Sequence, residues 1–224
     1  MSAELTERLA HQGWAVVPAL SPAACAEVVA GWDTARFRKA VVMARHGFGR
    51  GEYRYYDDPL PPLIQALRDA WYPRLVPIAR GWADELGLPA AFPDTADGLR
   101  EACARAGQPL STPLLLRYGP GDYNRLHQDL YGPVWFPLQL VVLLDRPGVD
   151  FEGGELVLVE QRPRIQSRPI VVPLRQGEAA IVAGNLRPDA GPRGPRRAVL
   201  RHGVSEVRAG RRHALGVLFH GAAT

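Results

Sequence analysis

The sequence predicts an α+β protein in which a mostly helical region, residues 1–110, supports a jelly-roll or sandwich of short strands, residues 111–224. Two observations carry this. Before about Ser111 the apolar residues recur at helical spacing between N-cap and glycine-stop signals. After it, seven or eight short apolar runs alternate with Gly/Pro turns, the pattern of an all-β core. A chain of 224 residues is long enough to bury a sizeable core as a single domain spanning 1–224.

The elements follow in order. "ELTERLAHQG" has helical spacing and stops at Gly13, "WAVVPAL" is a short strand, and Ser21-Pro22 supplies an N-cap and first-turn proline for a helix through Trp32. "RKAVVMARHGFGRGEYRYY" reads as extended segments broken by glycines. The stretch from Pro61 to Gly87 reads as helices interrupted at Pro73 and Pro77, because proline removes a helix hydrogen bond. "TADGLREACARAG" is a further helix with a threonine start and a glycine stop. The strands then come from "PLLLRY", "FPLQLVVLL", "GELVLVE", "IVVPL", "EAAIVAG", "AVLRHGVSEV" and "HALGVLF", with "GNLRPDAGPRGPRR" as a Gly/Pro/Arg-rich loop.

Composition narrows the function classes. Net charge is +4, which permits an anionic partner without demanding one, and Lys39 is the only lysine beside many arginines. Cys25 and Cys103 form no C-x-x-C pair, so neither a disulfide framework nor a zinc knuckle is indicated. The charged start "MSAELTERLAHQGW" lacks a long apolar stretch, and the apolar run at 137–144 is too short to span a bilayer. A cytoplasmic protein without membrane association is expected.

The chemistry concentrates in "RYGPGDYNRLHQDLYGP". Side chains at i and i+2 of a strand share a face, so His127 and Asp129 would present an imidazole and a carboxylate together, with Gln128 turned away. An H-x-D triplet also occurs by chance in surface loops. His202 in "LRHGVSEVRAGRRHALGVLF" completes two histidines and one carboxylate, the facial triad of non-haem Fe(II) oxygenases. Arg212, ten residues on, is suited to grip a carboxylate with its planar fork. A three-residue turn, Arg208-Ala209-Gly210, would pair Glu206 with Arg212 and His202 with Gly216, putting His202 and Arg212 toward one interior.

These residues resemble the Fe(II)/2-oxoglutarate-dependent oxygenases, whose core is a double-stranded β-helix. Tyr118 and "LHQD" are similar to AlkB-type demethylases, and "DFEGGELVLVE" is similar to the F-x-G-G-E-L turn of prolyl-hydroxylase-like members. More closely, "LLLRYGPGDYNRLHQDLYG", "FEGGELVLVEQRPRIQSRP", "VPLRQGEAAI" and "LRHGVSEVRAGRRHALGVLFH" resemble the bacterial Oxygenase-NA family, described as demethylases of damaged DNA. The resemblance implies that His127, Asp129 and His202 bind Fe(II), that Arg212 clamps 2-oxoglutarate with a hydrogen bond from Tyr118, and that dioxygen is consumed. It further implies hydroxylation with release of succinate and CO2, since the carboxylate ligand that related halogenases lack is kept. Gln139 could reach the 2-oxoglutarate carboxylate or be satisfied by backbone. Tyr131 and Trp135 are expected at the substrate entrance. Arg162 and Arg164 could hold phosphates or be a solvated face, and Tyr53, Tyr55 and Tyr56 could stack unpaired bases or pack a helical layer.

Alkylated single-stranded nucleic acid is therefore one candidate partner, alongside 2-oxoglutarate itself. A peptide, prolyl or small-metabolite hydroxylase and a non-catalytic cupin-like metal module are the alternatives.

Overall fold

The computed structural model describes residues 3–88, 92–191 and 194–223, so that Pro192 and Arg193 of the arginine-rich loop lie outside the described residues. The N-terminal region holds helix α1 (Ala3–Gln12), strand β1 (Trp14–Pro18), helix α2 (Pro22–Ala30), strand β2 (Phe37–Val42), a 3-10 turn at Met43–His46, strands β3 (Gly49–Arg50) and β4 (Glu52–Tyr56), and helices α3 (Pro62–Leu86) and α4 (Ala96–Arg105). Strands follow: β5 (Leu114–Tyr118), β6 (Tyr123–His127), β7 (Leu138–Leu143), β8 (Phe151–Gly153), β9 (Leu156–Gln161), β10 (Arg168–Val172), β11 (Glu178–Ala183), β12 (Leu186–Asp189), β13 (Arg196–Val204), β14 (Val207–Gly210) and β15 (Arg212–Val217).

Local chemistry explains the helix boundaries. Leu5 and Leu9 of α1 are buried one turn apart, and Gly13 closes the helix at φ +76°. A Cβ at Gly13 would lie 2.4 Å from the Arg187 side chain, so only glycine fits there. Ser21 Oγ accepts the Ala24 amide hydrogen at 3.2 Å, and Thr95 Oγ1 accepts that of Gly98 at 3.1 Å. The expected α2 runs two residues short of Trp32, ending at Ala30.

The break expected at Pro73 and Pro77 does not occur: α3 is one helix of 25 residues containing both. The two prolines are four apart and both exposed, whereas Trp71, Tyr72, Leu75, Val76, Ile78 and Ala79 are buried. The backbone groups that proline leaves unpaired therefore face water, and the buried stripe holds the helix together.

Named strands pair antiparallel throughout. A seven-stranded sheet runs β1-β11-β7-β15-β5-β4-β2, and a second runs β10-β9-β13-β6-β3 with β12 also on β13. Leu140, Val142, Ile181 and Leu215 of the first share one apolar core with Leu156, Leu158 and Leu200 of the second and with Ile64, Trp71 and Leu75 of α3. The strand-rich half is thus more finely divided than its apolar runs suggested. Strand β12 lies inside the expected Gly/Pro/Arg loop, and the expected run at 198–207 is split, β13 ending at Val204 and β14 pairing with β8.

The expected pairing of His202 with Gly216 is overturned. β13 belongs to the second sheet and β15 to the first, where β15 pairs β5 and β7. The turn residue was read correctly, since Gly210 has φ +76°, but what demands it is Asp150, whose carbonyl oxygen would lie 2.1 Å from a Cβ there.

A buried ion network ties the second sheet's far end. Arg187 on β12 donates through Nε at 3.0 Å, and through Nη2, to Glu160 of β9, which also accepts from Arg162 Nε at 2.8 Å. Arg196 adds a contact of 3.0 Å to Asp189. Arg187 and Glu160 are almost fully buried. Glu160→Ala would leave the Arg187 guanidinium buried without its principal partner, and should cost about 3–5 kcal/mol in urea unfolding. A loss below about 1 kcal/mol, the level of an exposed pair, would show that solvent reaches the network.

Candidate metal and co-substrate site

β6 and β13 are neighbours, and their register places His127 directly opposite His202. The strand ends at His127, so Asp129 is not on it as expected but in the loop beyond. The carboxylate still arrives beside the imidazoles, and the half-buried Gln128 between them is tethered, its Nε2 donating to Asn185 Oδ1 at 2.7 Å and to the Leu200 carbonyl at 2.9 Å. One donor atom from each of His127, Asp129 and His202 falls within 4.8 Å of the others.

The protonation chemistry of this cluster suits a cation. His127 Nδ1 lies 2.7 Å from the Arg125 carbonyl, so it carries the proton and leaves the Nε2 lone pair turned toward Asp129 Oδ1, 3.6 Å away. His202 Nε2 lies 3.2 Å from Asp129 Oδ2 and 3.1 Å from the Gln139 amide nitrogen, while its buried Nδ1 has no partner among the described residues. A single ring nitrogen cannot donate to a carboxylate and accept from an amide at once. A metal ion between the imidazoles and the carboxylate removes that conflict, and two histidines with one carboxylate is a set that Fe(II) takes.

Asp129 is held on every side. Tyr131 donates to its Oδ1 at 2.8 Å, and Tyr55 donates in turn to the Tyr131 hydroxyl at 3.2 Å. His220 Nε2 donates to the Asp129 backbone carbonyl at 3.2 Å while its Nδ1 accepts the Phe136 amide hydrogen at 3.2 Å. Burial alone would raise the Asp129 carboxyl. Hydrogen bonding from His202, electrostatic attraction to the His202 and His127 rings and the Tyr131 hydrogen bond outweigh it and hold the group well below the usual carboxylate range. Burial pushes His127 and His220 down, the latter to about 4, so both are neutral near neutrality. Burial and the Asp129 charge raise Tyr131, which keeps its proton and remains a donor.

The second half of the site lies on β15 and β5, whose register sets Arg212 against Tyr118. Arg212 is 1% exposed and makes no ion pair among the described residues, and its Nε and Nη1 have no hydrogen-bond partner. The guanidinium stands over the Tyr118 ring, 5.5 Å from its centroid, and burial lowers its pKa. A Cβ at Gly154 would come within 2.8 Å of Arg212 Cδ, so the Gly153-Gly154 turn makes the room in which Arg212 lies. Burial pushes Tyr118 up to about 12, and its hydroxyl accepts weakly from Asn124 at 3.4 Å.

His127, Asp129, His202, Arg212, Tyr118, Gln139 and Tyr131 all line one cavity of about 350 Å³, so His202 and Arg212 meet across the two sheets rather than within one hairpin. Other expected residues lie elsewhere. Trp135 lines a separate groove with Trp82 and Pro137, Arg162 is engaged by Glu160 and Asp189, and Arg164 is an exposed loop residue with φ +66°. Of the tyrosine cluster, Tyr53 and Tyr55 line the cavity, whereas Tyr56 is buried against Phe37. From the sequence His220 reads as a packing or surface residue, because its partners at Asp129 and Phe136 are 91 and 84 residues away.

The class that this fold and donor set define is the 2-oxoglutarate/Fe(II)-dependent oxygenases. The chain belongs to the Oxygenase-NA family, whose model matches residues 51–222 and is described as "Oxygenase, catalysing oxidative methylation of damaged DNA". An uncharacterized protein of Mycobacterium tuberculosis strain H37Rv is 48% identical over 165 residues, 74% of this chain and 71% of that one. Among solved structures, a Pseudomonas putida prolyl-4-hydroxylase superposes with a TM-score of 0.55 at 14% identity, covering 96% of each chain. A 2OG-Fe(II) oxygenase family oxidoreductase from Burkholderia pseudomallei gives 0.55 at 19% identity, covering 99% of this chain and 93% of that one.

Proposed function

We propose that this oxygenase, a single domain with a double-stranded β-helix core, removes alkyl groups from nucleic-acid bases by hydroxylating the attached carbon. In this reading His127, Asp129 and His202 hold Fe(II), and Arg212 binds the distal carboxylate of 2-oxoglutarate, with Tyr118 beside it. The iron, once bound, supplies the activation of dioxygen at the expense of 2-oxoglutarate, which leaves as succinate and CO2. This chain's residues do the rest. Tyr131 and His220 fix the Asp129 carboxylate from its side-chain and backbone ends. Gln139 orients the His202 ring, and the paired sheets keep bulk water from the inner end of the cavity. The hydroxymethyl product on nitrogen then breaks down to formaldehyde and the restored N–H.

The observation that carries the reading is Arg212, a buried guanidinium with unpartnered nitrogens in the same cavity as the metal donors. Such a charge is costly unless an anion meets it, which also argues against a metal module without a co-substrate. The family's description supports damaged DNA as the substrate. Among the described residues no helix is long and apolar enough to cross a membrane, and Cys25 and Cys103 are buried free thiols, in keeping with a cytoplasmic setting.

The test loads the protein with Fe(II) without oxygen, then exposes it to oxygen with 2-oxoglutarate and methylated single-stranded DNA. Succinate and formaldehyde should appear in equal amounts. Succinate that DNA does not stimulate, with no formaldehyde, would keep the oxygenase and move the substrate to a peptide or metabolite.

A further inference from the structure

We infer that Phe48 and Arg125 form the outer subsite for the substrate strand: the Phe48 ring stacks on a base beside the one that enters the cavity, and Arg125 meets a backbone phosphate. This rests on the nucleic-acid reading above. Phe48 is 48% exposed and lines the mouth of the same cavity as the metal donors. The ring is not idle surface. His46 stacks on it with centroids 5.4 Å apart and planes 23° apart, leaving a flat aromatic pair at the entrance.

The pair is fixed relative to the metal donors. Gly47 between the two rings has φ +71° and nothing within 4 Å of where a Cβ would lie, so the turn stands open to solvent. On its other side the Phe48 carbonyl accepts the Arg125 amide hydrogen at 2.9 Å, two residues before His127. Gly49 then pairs with Asn124 so closely that a Cβ would lie 2.3 Å from the Tyr123 carbonyl oxygen. The stacking surface is thus bolted to the strand that carries a metal donor.

Charge fits the same occupant. Arg125 is exposed and lines the cavity, and Arg45 and Arg50 flank Phe48 in sequence, both exposed. None of the three makes an ion pair among the described residues. Unpaired arginines beside an exposed ring suit a single strand, because phosphate takes the charge and every base offers a π-face. Deeper in, Tyr53 and Tyr55 stand edge-to-face at 5.3 Å and line the cavity that the inserted base would occupy.

The experiment measures fluorescence anisotropy of a fluorescein-labelled single-stranded oligodeoxynucleotide carrying an N-methylated adenine. The full chain is held with Fe(II) and 2-oxoglutarate without oxygen, over a range of salt. Phe48→Ala should bind about tenfold more weakly, and Phe48→Trp should bind as wild type, because the stack is restored. Arg125→Gln should lower the slope of log affinity against log salt by about 0.7, one phosphate's share. All variants should keep wild-type 2-oxoglutarate affinity, which certifies their folding. Wild-type binding by both Phe48→Ala and Arg125→Gln would overturn the subsite and leave the nucleic-acid reading standing. No salt-dependent DNA binding by the wild type would overturn both.

Discussion

Arg212→Met should raise the midpoint of thermal unfolding and at the same time weaken 2-oxoglutarate binding by on the order of 10²–10³-fold. The two effects have one cause. Arg212 is buried with two guanidinium nitrogens unpartnered, and its desolvation outweighs what the Tyr118 and Phe151 rings and the charges of Asp145 and Glu155 give back. A methionine, shorter but of similar volume, packs beside Tyr118 and Phe151 without charge, and such replacements of buried ionic groups stabilise by about 1–4 kcal/mol. The co-substrate loses the fork that meets its carboxylate, which costs on the order of 10²–10³-fold in affinity. Calorimetric titration without oxygen and a thermal scan of the same sample read both. A variant that unfolds earlier and still binds 2-oxoglutarate as wild type does would make Arg212 a structural residue.

Asp129→Ala should remove turnover altogether. The variant keeps His127 and His202 facing each other with ring centroids 4.3 Å apart, but two neutral imidazoles lack the charge that balances a divalent cation. Loss of an outer partner of a metal ligand typically costs about 10–100-fold, and loss of the ligand itself should exceed that. Fe(II) affinity and succinate release, followed on one preparation, should fall together. Turnover near the wild-type rate would move the metal to other residues. Retained metal affinity with lost turnover would instead assign Asp129 to the reaction rather than to binding.

What could be read from the sequence was local. His127 and Asp129 declared themselves by spacing, although the strand stops between them and the carboxylate arrives from the loop beyond, past the tethered Gln128. Ser21 and Thr95 capped helices where they stood, because a cap is decided within three residues. What could not be read was decided across distance. His202 and Arg212 reach one cavity from different sheets, since β14 leaves the expected hairpin to pair with β8. Arg162 looked available to phosphate, but Glu160 and Asp189 engage it, the latter far along the chain. Trp135 looked like an entrance residue by its closeness to the donors, yet the chain after Pro133 turns it into another groove. Phe48 gave no signal, because an aromatic in a glycine-rich stretch has no periodicity to betray it.

The way the seven-stranded sheet ends bears on how this protein can be handled in practice. β1 covers the flank of β11, and β2 covers the flank of β4, and both lie before the region that the family model matches. A fragment trimmed to residues 51–222 would lay bare the amides of β11, whose sequence EAAIVA is apolar beyond its first residue. Such an edge is a template for adding further copies strand by strand. The first fifty residues thus serve as a selvedge, a finished margin that keeps the sheet from unravelling into its neighbours.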